Sequence, residues 1–525
     1  MPIVFSPRLW FLWRMAVEEL LQRLEALERV IAMQAAIIAL RDAEIVRLNE
    51  VIRAQAETIK TLNEKVAKLE LRLNTNSSNS SKPPSTDPAW KPPKVKLNGA
   101  KGTKGAQIGH VGVAREMVPV EEVDAIIPCK PIDTCECGGV IEAEETPCER
   151  KQVFELPKIE PHITEFQVFN GCCLECAAKH RGTLPAGTPS GMLGPNALVT
   201  IALLTGKFHL SKRDVEELFC DYFGLSICVG TVCNAEQQVS EALQGPYEEL
   251  VAAIQLEPVV AADETSHKVA GKLAWIWILV SSTAAVFFAK ASRSKKVAME
   301  ILGPNFSGIL LSDRYNAYLW VSRRQLCWAH LIRDFKKLID AGGLAADFAN
   351  PVLEHVQKMF SLWHKFKAGE INRLQLQEQA QPFCAEIERR LELGKTVPLA
   401  EALSRSLCEL KGSLWTFIQH EGVEPTNNDA ERTVRKWVIW RKTSFGTQTE
   451  KGNQFVERIL TVVATCKRQN RKVYHYLLEA MTDNLHGRPA QSLLYTPSAY
   501  TEHRSLFSAS KYWMPACAGM TTPGA

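Results

Sequence analysis

Three acidic residues, Asp263, Asp313 and Glu431, are of a type and placement that can hold metal ions for phosphodiester chemistry. Asp263 closes the apolar run Pro258-Val259-Val260-Ala261-Ala262, and Asp313 closes Gly308-Ile309-Leu310-Leu311-Ser312. Both runs read as short buried strands. Glu431 lies in Asn427-Asn428-Asp429-Ala430-Glu431-Arg432-Thr433-Val434-Arg435, a helical segment that Asn427 or Asn428 can cap. Clustered carboxylates repel one another unless cations sit among them, and an all-oxygen donor set suits hard ions, Mg²⁺ or Mn²⁺. Two such ions roughly 4 Å apart would activate a water or a 3′-hydroxyl on one side of a phosphorus and stabilise the leaving oxygen on the other. Each acid also has a plainer reading. Glu431 and Arg435 have the spacing of a surface ion pair on one helix face, and Glu264 competes with Asp263 for the first position.

The elements needed to position these groups follow from the pattern after residue 250. Strands are expected at 258–262, 273–280, 284–289 and 308–312, with a helix at 295–302 and a fifth strand at 324–328. A sheet mixing hairpins with a crossover can bring two strand ends together, in the order of a ribonuclease-H-like fold. The long interval before Glu431 reads as helices at 331–339, 352–367, 374–393 and 399–421, an all-helical insertion at about 334–421. Before it stands Cys327-Trp328-Ala329-His330. Two potential ligands make a weak metal site, so packing at the strand end, with His330 near the site or on DNA, is the reading preferred. Arg435 next to Glu431, and Arg441 and Lys442 next to the hydroxyls of Thr443, Ser444 and Thr447, can hold backbone phosphates.

Upstream, a heptad repeat runs through Val17, Leu24, Ile31, Ile38, Ile45, Ile52, Ile59, Val66 and Leu73. Leu20, Leu27, Leu48, Leu62 and Leu69 occupy the second seam position. Mostly β-branched residues at a with leucine at d favour a parallel coiled coil, with Gln34, Arg41 and Gln55 fixing register. A polar, proline-containing run with Lys82, Lys91, Lys94, Lys96, Lys101 and Lys104 then reads as a basic linker, attracted to phosphate or simply solvated. Cys135 and Cys137 form one knuckle, Cys173 and Cys176 another, with strand-like alternation from Val153 to Phe169 between them. That reads as a zinc ribbon in which four thiolates hold a structural ion. The C-x-C spacing of the first knuckle leaves Cys129 or Cys172 as substitutes, and unliganded cysteines are the alternative. Helices beginning at Pro195, after Ser211 and near Gly230 suggest a helix-turn-helix-like DNA-binding region, or an ordinary helical bundle.

The 525-residue length requires several domains, and 46% hydrophobic with 23% charged residues is the balance of a globular protein. A net charge of +4 does not by itself argue for a nucleic-acid partner, so the local basic runs must carry that inference. The longest apolar stretch, 273–289, is interrupted by Ser281-Ser282-Thr283 and reads as two strands and a turn; no membrane association is expected. Fifteen cysteines in a long chain without a secretory signal point to reduced thiols and a metal site rather than disulfides.

In order, the heptads, the Ser-Ser-Asn-Ser-Ser-Lys-Pro-Pro-Ser linker, the knuckles, Leu184-Pro185, Ala262-Asp263-Glu264-Thr265, Ser312-Asp313, Cys-Trp-Ala-His and Asn-Asn-Asp-Ala-Glu-Arg with Arg441-Lys442 resemble the insertion sequence 66 family of DDE transposases. The resemblance implies catalytic residues Asp263, Asp313 and Glu431, and terminal inverted repeats and a target duplex as substrates. It also implies helper proteins from the same element and a place in the bacterial cytoplasm with the nucleoid. The expected layout is an upstream extension (1–14), a coiled coil for homo-oligomerisation (15–73), the linker (74–107) and a zinc-ribbon-like module (108–185). The helical DNA-binding region (186–250), the catalytic domain (251–480) and a C-terminal segment (481–510) follow. Residues 511–525 read as a non-native tail resembling translated repeat DNA.

Overall fold

The computed structural model describes residues 7–73, 75 and 116–494. The linker reading at 74–107 (Thr75 apart), the tail at 511–525, residues 1–6 of the extension and the end of the 481–510 segment lie outside the described residues. In chain order come helix α1 (Pro7–Leu73), hairpin strands β1 (Asn170–Cys172) and β2 (Lys179–Arg181), and helices α2 (Pro195–Gly206), α3 (Lys212–Phe223), α4 (Val229–Ala242) and α5 (Gln244–Ile254). Then come β3 (Val259–Val269), β4 (Lys272–Val280), β5 (Ala285–Lys290), α6 (Lys295–Leu302), β6 (Ile309–Ser312) and β7 (Arg324–Leu326). Helices α7 (Trp328–Ala341), α8 (Gly343–Lys367), α9 (Arg373–Gly394), α10 (Glu401–Glu409) and α11 (Thr416–Gln419) precede α12 (Asn428–Ser444), α13 (Glu450–Arg468) and α14 (Val473–Leu485). Among the described residues, no helix is long and apolar enough to cross a membrane.

Two compact units result. One comprises the described residues of Met1–Asp87 with Trp328–Glu421, the other those of Pro88–Cys327 with Gly422–Ala525. The first is helical. Its α1 is one unbroken helix of 67 residues, about 100 Å long. The seam side chains are exposed, Ile31 by 61% and Ile52 by 60%, so among the described residues nothing covers this apolar stripe. Residues 328–421 have their own apolar interior, including Trp328, Phe335, Val352, Met359, Ile387 and Phe417. Trp328 Nε1 donates to Leu414 O at 2.9 Å. The single helix expected at 399–421 is instead divided between α10, a short turn and α11, because Leu410 leaves helical geometry and the chain bends through Lys411–Ser413.

The second unit is built on a five-stranded sheet in the order β5-β4-β3-β6-β7. β3–β4 and β4–β5 are antiparallel hairpin pairs, whereas β3–β6 and β6–β7 are parallel, the crossover passing through α6. The strand expected to end at Asp263 continues to Val269, because Asp263, Glu264, Thr265 and Ser266 all pair with β4 although they are not apolar. Ser211 caps α3 through a reciprocal capping box with Asp214, and Gly224 ends the helix at φ +62°, a conformation that favours glycine. Ser294 caps α6 through Val297 N.

At the edge strand β5, a helix does the work of a partner strand. Ala285 N donates to Thr465 Oγ1 at 3.1 Å, Phe287 N to Thr461 Oγ1 at 3.0 Å, and Ala289 N to the Glu457 carboxylate. Residues four apart on α13 thus meet alternate residues of the strand, matching one helical turn to two strand residues. Burial raises the Glu457 carboxyl to about 7.

Candidate active site

β3 and β6 run side by side in the middle of the sheet, with Ala261 opposite Leu311. Two residues farther on, with side chains back on the same face, the register sets Asp263 beside Asp313. Both carboxylates accept local backbone hydrogen bonds: Asp263 Oδ1 from Glu264 N and Asp313 Oδ1 from Tyr315 N, each at 2.9 Å. Arg324 of β7, almost wholly buried, donates to Asp313 O at 3.0 Å and to Ser312 Oγ at 3.3 Å, holding the end of β6.

Asp263 shares its sheet face with Ile278 and Phe287, its cross-strand neighbours, and Phe287 lies 5.9 Å, ring to ring, from Trp437 of α12. α12 therefore packs on the face from which Asp263 projects, and it carries Glu431 in its first turn. Asn427 does not cap that helix through its side chain, as the sequence suggested. Its Nδ2 donates to Ala262 O at 2.7 Å, and its backbone N donates to Cys327 Sγ at 3.1 Å. Cys327 N in turn donates to Ser312 O at 2.9 Å. Ala262 precedes Asp263, Ser312 precedes Asp313, and Asn427 lies one turn before Glu431. One clasp of three hydrogen bonds thus links the backbone beside all three acids. Cys327 Sγ also lies within 4.8 Å of a Glu431 carboxylate oxygen.

The electrostatics agree with that convergence. Burial first, then the charge of Glu264, holds the Asp263 carboxyl well above the usual carboxylate range, and the charges of Glu431 and Asp313 push the same way. A divalent cation would reverse this repulsion. Among the described residues, the ligand atoms of Asp263, Asp313 and Glu431 do not all fall within 4.8 Å of one another.

Glu264 turns to the opposite face. Its side chain is only 2% exposed. It accepts from Arg293 Nε at 2.9 Å and from Tyr318 Oη at 2.6 Å, while the Arg293 guanidinium stacks 3.7 Å from the Tyr315 ring centre. Its oxygens are engaged in this buried network, away from the α12 face. Arg293, Tyr315, Tyr318 and Arg324 escaped sequence reading. The Tyr315 and Tyr318 spacing just after Asp313 was the available signal; for Arg293 there was none.

The expected phosphate-binding residues divide. Arg435 and Lys442 are exposed on α12. Arg441 is half-buried and donates to Thr265 Oγ1 at 3.0 Å and Ser266 Oγ at 3.2 Å, tying α12 to β3. The hydroxyls of Thr443 and Ser444 donate to Trp440 O of their own helix. His330 belongs to the helical unit, half-buried in the first turn of α7. A histidine not singled out from the sequence, His267, lies in the α12 packing. Trp437 Nε1 donates to its Nδ1 at 3.3 Å, so Nε2 keeps the proton and donates to Thr447 Oγ1 at 3.1 Å. Burial lowers His267 to about 4.

Each cysteine knuckle is formed locally. Cys135 N bonds to Gly139 O at 2.8 Å and Gly138 N to Cys135 O at 2.9 Å; Cys173 N bonds to Ala178 O at 2.8 Å within the β1–β2 hairpin. Hydrogen bonding from Gly139 and then Cys135 lowers the Cys137 thiol, and the Cys176 and Glu175 backbone lowers that of Cys173. All four thiols are free. Among the described residues, no three of them have sulfurs within 4.8 Å of one another. The strands expected at 153–169 are not formed. Pro157 and Pro161 lack the N–H a ladder needs, and the hairpin instead encloses Cys173–Cys176.

An aspartate within β3, another just past the end of β6 and a glutamate in the first turn of α12 define an α/β protein with an acid-lined site on a mixed sheet. Residues 190–455, half of the chain, match the model of the transposase IS66 family, and the chain belongs to that family. Residues 33–116 match a family of unknown function, DUF6444. Among curated proteins it is similar to three uncharacterized proteins of Sinorhizobium fredii (strain NBRC 101917 / NGR234). These are y4hP (23% identical, covering 56% of this chain and 60% of that protein), y4jD (21%, 61% and 69%) and y4qI (27%, 38% and 39%). The chain thus spans less than two thirds of the first of these relatives.

Proposed function

We propose that the protein is a DDE transposase that binds the terminal inverted repeats of its element and catalyses DNA strand cleavage and strand transfer. The observation that carries this reading is the clasp through Asn427 and Cys327, which ties the backbone beside Asp263, Asp313 and Glu431 together across three distant parts of the sequence. The sheet order, with an antiparallel hairpin side and a parallel side meeting at β3, supports a ribonuclease-H-like core.

Asp263, Asp313 and Glu431 would hold two Mg²⁺ or Mn²⁺ ions. The all-oxygen donor set and the unrelieved repulsion on Asp263 both fit hard cations. The chemistry such ions supply when bound is activation of a water or 3′-hydroxyl and stabilisation of the leaving oxygen. The chain's own residues fix the geometry: Arg324 holds the end of β6, Asn427 sets the start of α12, and Arg441 with His267 keeps α12 seated on β3. The exposed seam of α1 would pair copies of the chain as a coiled coil, and the cysteine knuckles would close around zinc.

The test is incubation of purified protein and its Asp263→Asn variant with labelled terminal-repeat duplex and Mg²⁺. Cleavage by the parent alone is the expected result. Cleavage by both rejects the role of Asp263, and binding without cleavage by either leaves a DNA-binding protein rather than an enzyme. Products cut but never joined would identify a nuclease instead.

A further inference from the structure

Each of the two aspartates is aimed by one backbone N–H, and a single side chain joins the residues that supply those donors. Glu264 N donates to Asp263 Oδ1 and Tyr315 N to Asp313 Oδ1, each at 2.9 Å. Between Glu264 and Tyr315 stands Arg293, in the turn that leads from β5 into the crossover helix α6. Its Nε donates to the Glu264 carboxylate at 2.9 Å, and its guanidinium lies 3.7 Å from the Tyr315 ring centre. The contact closes on itself, because Tyr315 Oη donates to Arg293 O. Trp277 of β4 anchors the same turn, its Nε1 donating to Ser292 O at 3.2 Å. The fully buried Tyr318 donates to the other Glu264 oxygen at 2.6 Å. An ion pair whose acid is only 2% exposed is costly to desolvate and is weak evidence for stability; what it secures here is position.

We propose that Arg293 is a positioning residue for the acid-lined site: by joining Glu264 to Tyr315 it fixes the Asp263 and Asp313 carboxylates relative to each other, and so sets their affinity for divalent cations. Hydrogen-bond partners behind ligating carboxylates tune metal affinity by about 10–100-fold. The sign of the effect separates position from charge. Arg293 feels the charge of Asp313, and a fixed cation there repels a metal ion, so deleting the charge alone would tighten metal binding. Loss of position loosens it. An amide at position 264 would still accept from Arg293, so the contact matters here and not the charge of Glu264. The inference rests on the metal-dependent reading above and deepens it.

The experiment titrates the full chain with Mn²⁺ alone, following free Mn²⁺ by electron paramagnetic resonance. The sites counted are those absent from Asp313→Asn. Arg293→Ala is expected to raise their half-saturating concentration about 10–100-fold with their number unchanged. Tyr315→Phe, which loses only the hydroxyl's bond to Arg293 O, should raise it by less. Cleavage of the labelled terminal-repeat duplex should recover in both variants at saturating Mn²⁺, because the acids themselves remain. An unchanged or lower half-saturating concentration in Arg293→Ala overturns the inference while the parent's metal binding and cleavage stand. Fewer sites at the parental half-saturating concentration would mark a merely structural role and overturn it too. Should Arg293→Ala not fold, Tyr315→Phe decides by the same readout, and a parental value there overturns the inference. A parent with no Mn²⁺ sites beyond those of Asp313→Asn removes the metal-dependent reading itself, and the inference with it.

Discussion

The acid-lined end of the sheet and the cysteine knuckles are both places where the sequence suggests bound metal, yet they are organised in opposite ways. Asp263, Asp313 and Glu431 are positioned by long-range contacts: strand pairing, a buried arginine and the Asn427–Cys327 clasp. The knuckles are held by hydrogen bonds within a few residues, and their sulfurs stay on the surface in two separate pairs. An oxygen site of the first kind is built by the fold and would then meet its proposed ions. A thiolate site of the second kind would need its ion to draw the two halves together.

The sharpest way to break this contrast is through chemistry. Asp263→Asn, Asp313→Asn and Glu431→Gln should each lower strand cleavage by about a thousandfold or more while duplex binding persists, as expected when several kcal/mol of charge stabilisation is lost. Glu264→Gln should leave the cleavage rate within about tenfold of the parent and act on stability, because its carboxylate faces Arg293 and Tyr318. A rate as low as that of Asp263→Asn would reverse the two roles.

Metal removal separates the regions next. Stoichiometric zinc is expected in the purified parent and should vanish in the Cys173→Ser/Cys176→Ser protein. Chelation should speed proteolysis within residues 116–190 while leaving the sheet unit resistant. Zinc retained by that variant would place the ligands elsewhere. Asn427→Ala, with Ala262 O left without its donor, should cost about 1–3 kcal/mol in urea unfolding and depress cleavage more than binding. A variant with parental stability would show that the clasp is dispensable.

The smallest effect is a pH dependence. Burial and neighbouring acids raise Asp263 above its unfolded value, so the folded chain binds the extra proton. Its contribution to stability is complete below the ordinary carboxylate range and is lost as pH rises through the raised folded value. Unfolding temperatures in chelator should therefore fall across that interval, less so in Asp263→Asn, and added Mg²⁺ should flatten the parent's slope. Parallel curves for parent and variant would contradict it.

Much of this was legible in the chain because local chemistry decides it. Ser211 and Gly224 bound a helix by capping, Ser294 starts α6 where the pattern changes, and the apolar runs before Asp263 and Asp313 are strands. What escaped was decided at a distance. Polar residues beyond Asp263 remain in β3 because β4 supplies partners, and Asn427, still the residue that opens α12, turns its side chain to donate to Ala262 O of the distant β3 instead of capping its own helix. The 153–169 stretch alternates like a strand, but alternation without a partner makes no sheet.

The row of Thr465, Thr461 and Glu457 along β5 has a bearing on how copies of this chain could share a confined volume. The pairing proposed for the amino-terminal helices would also raise the local concentration of the sheets, and an open edge strand is a template for uncontrolled stacking. With every second N–H of β5 already spoken for by α13, that border offers little to an incoming strand. The proposed assembly through the long helices could then proceed without recruiting this border into a growing fibre.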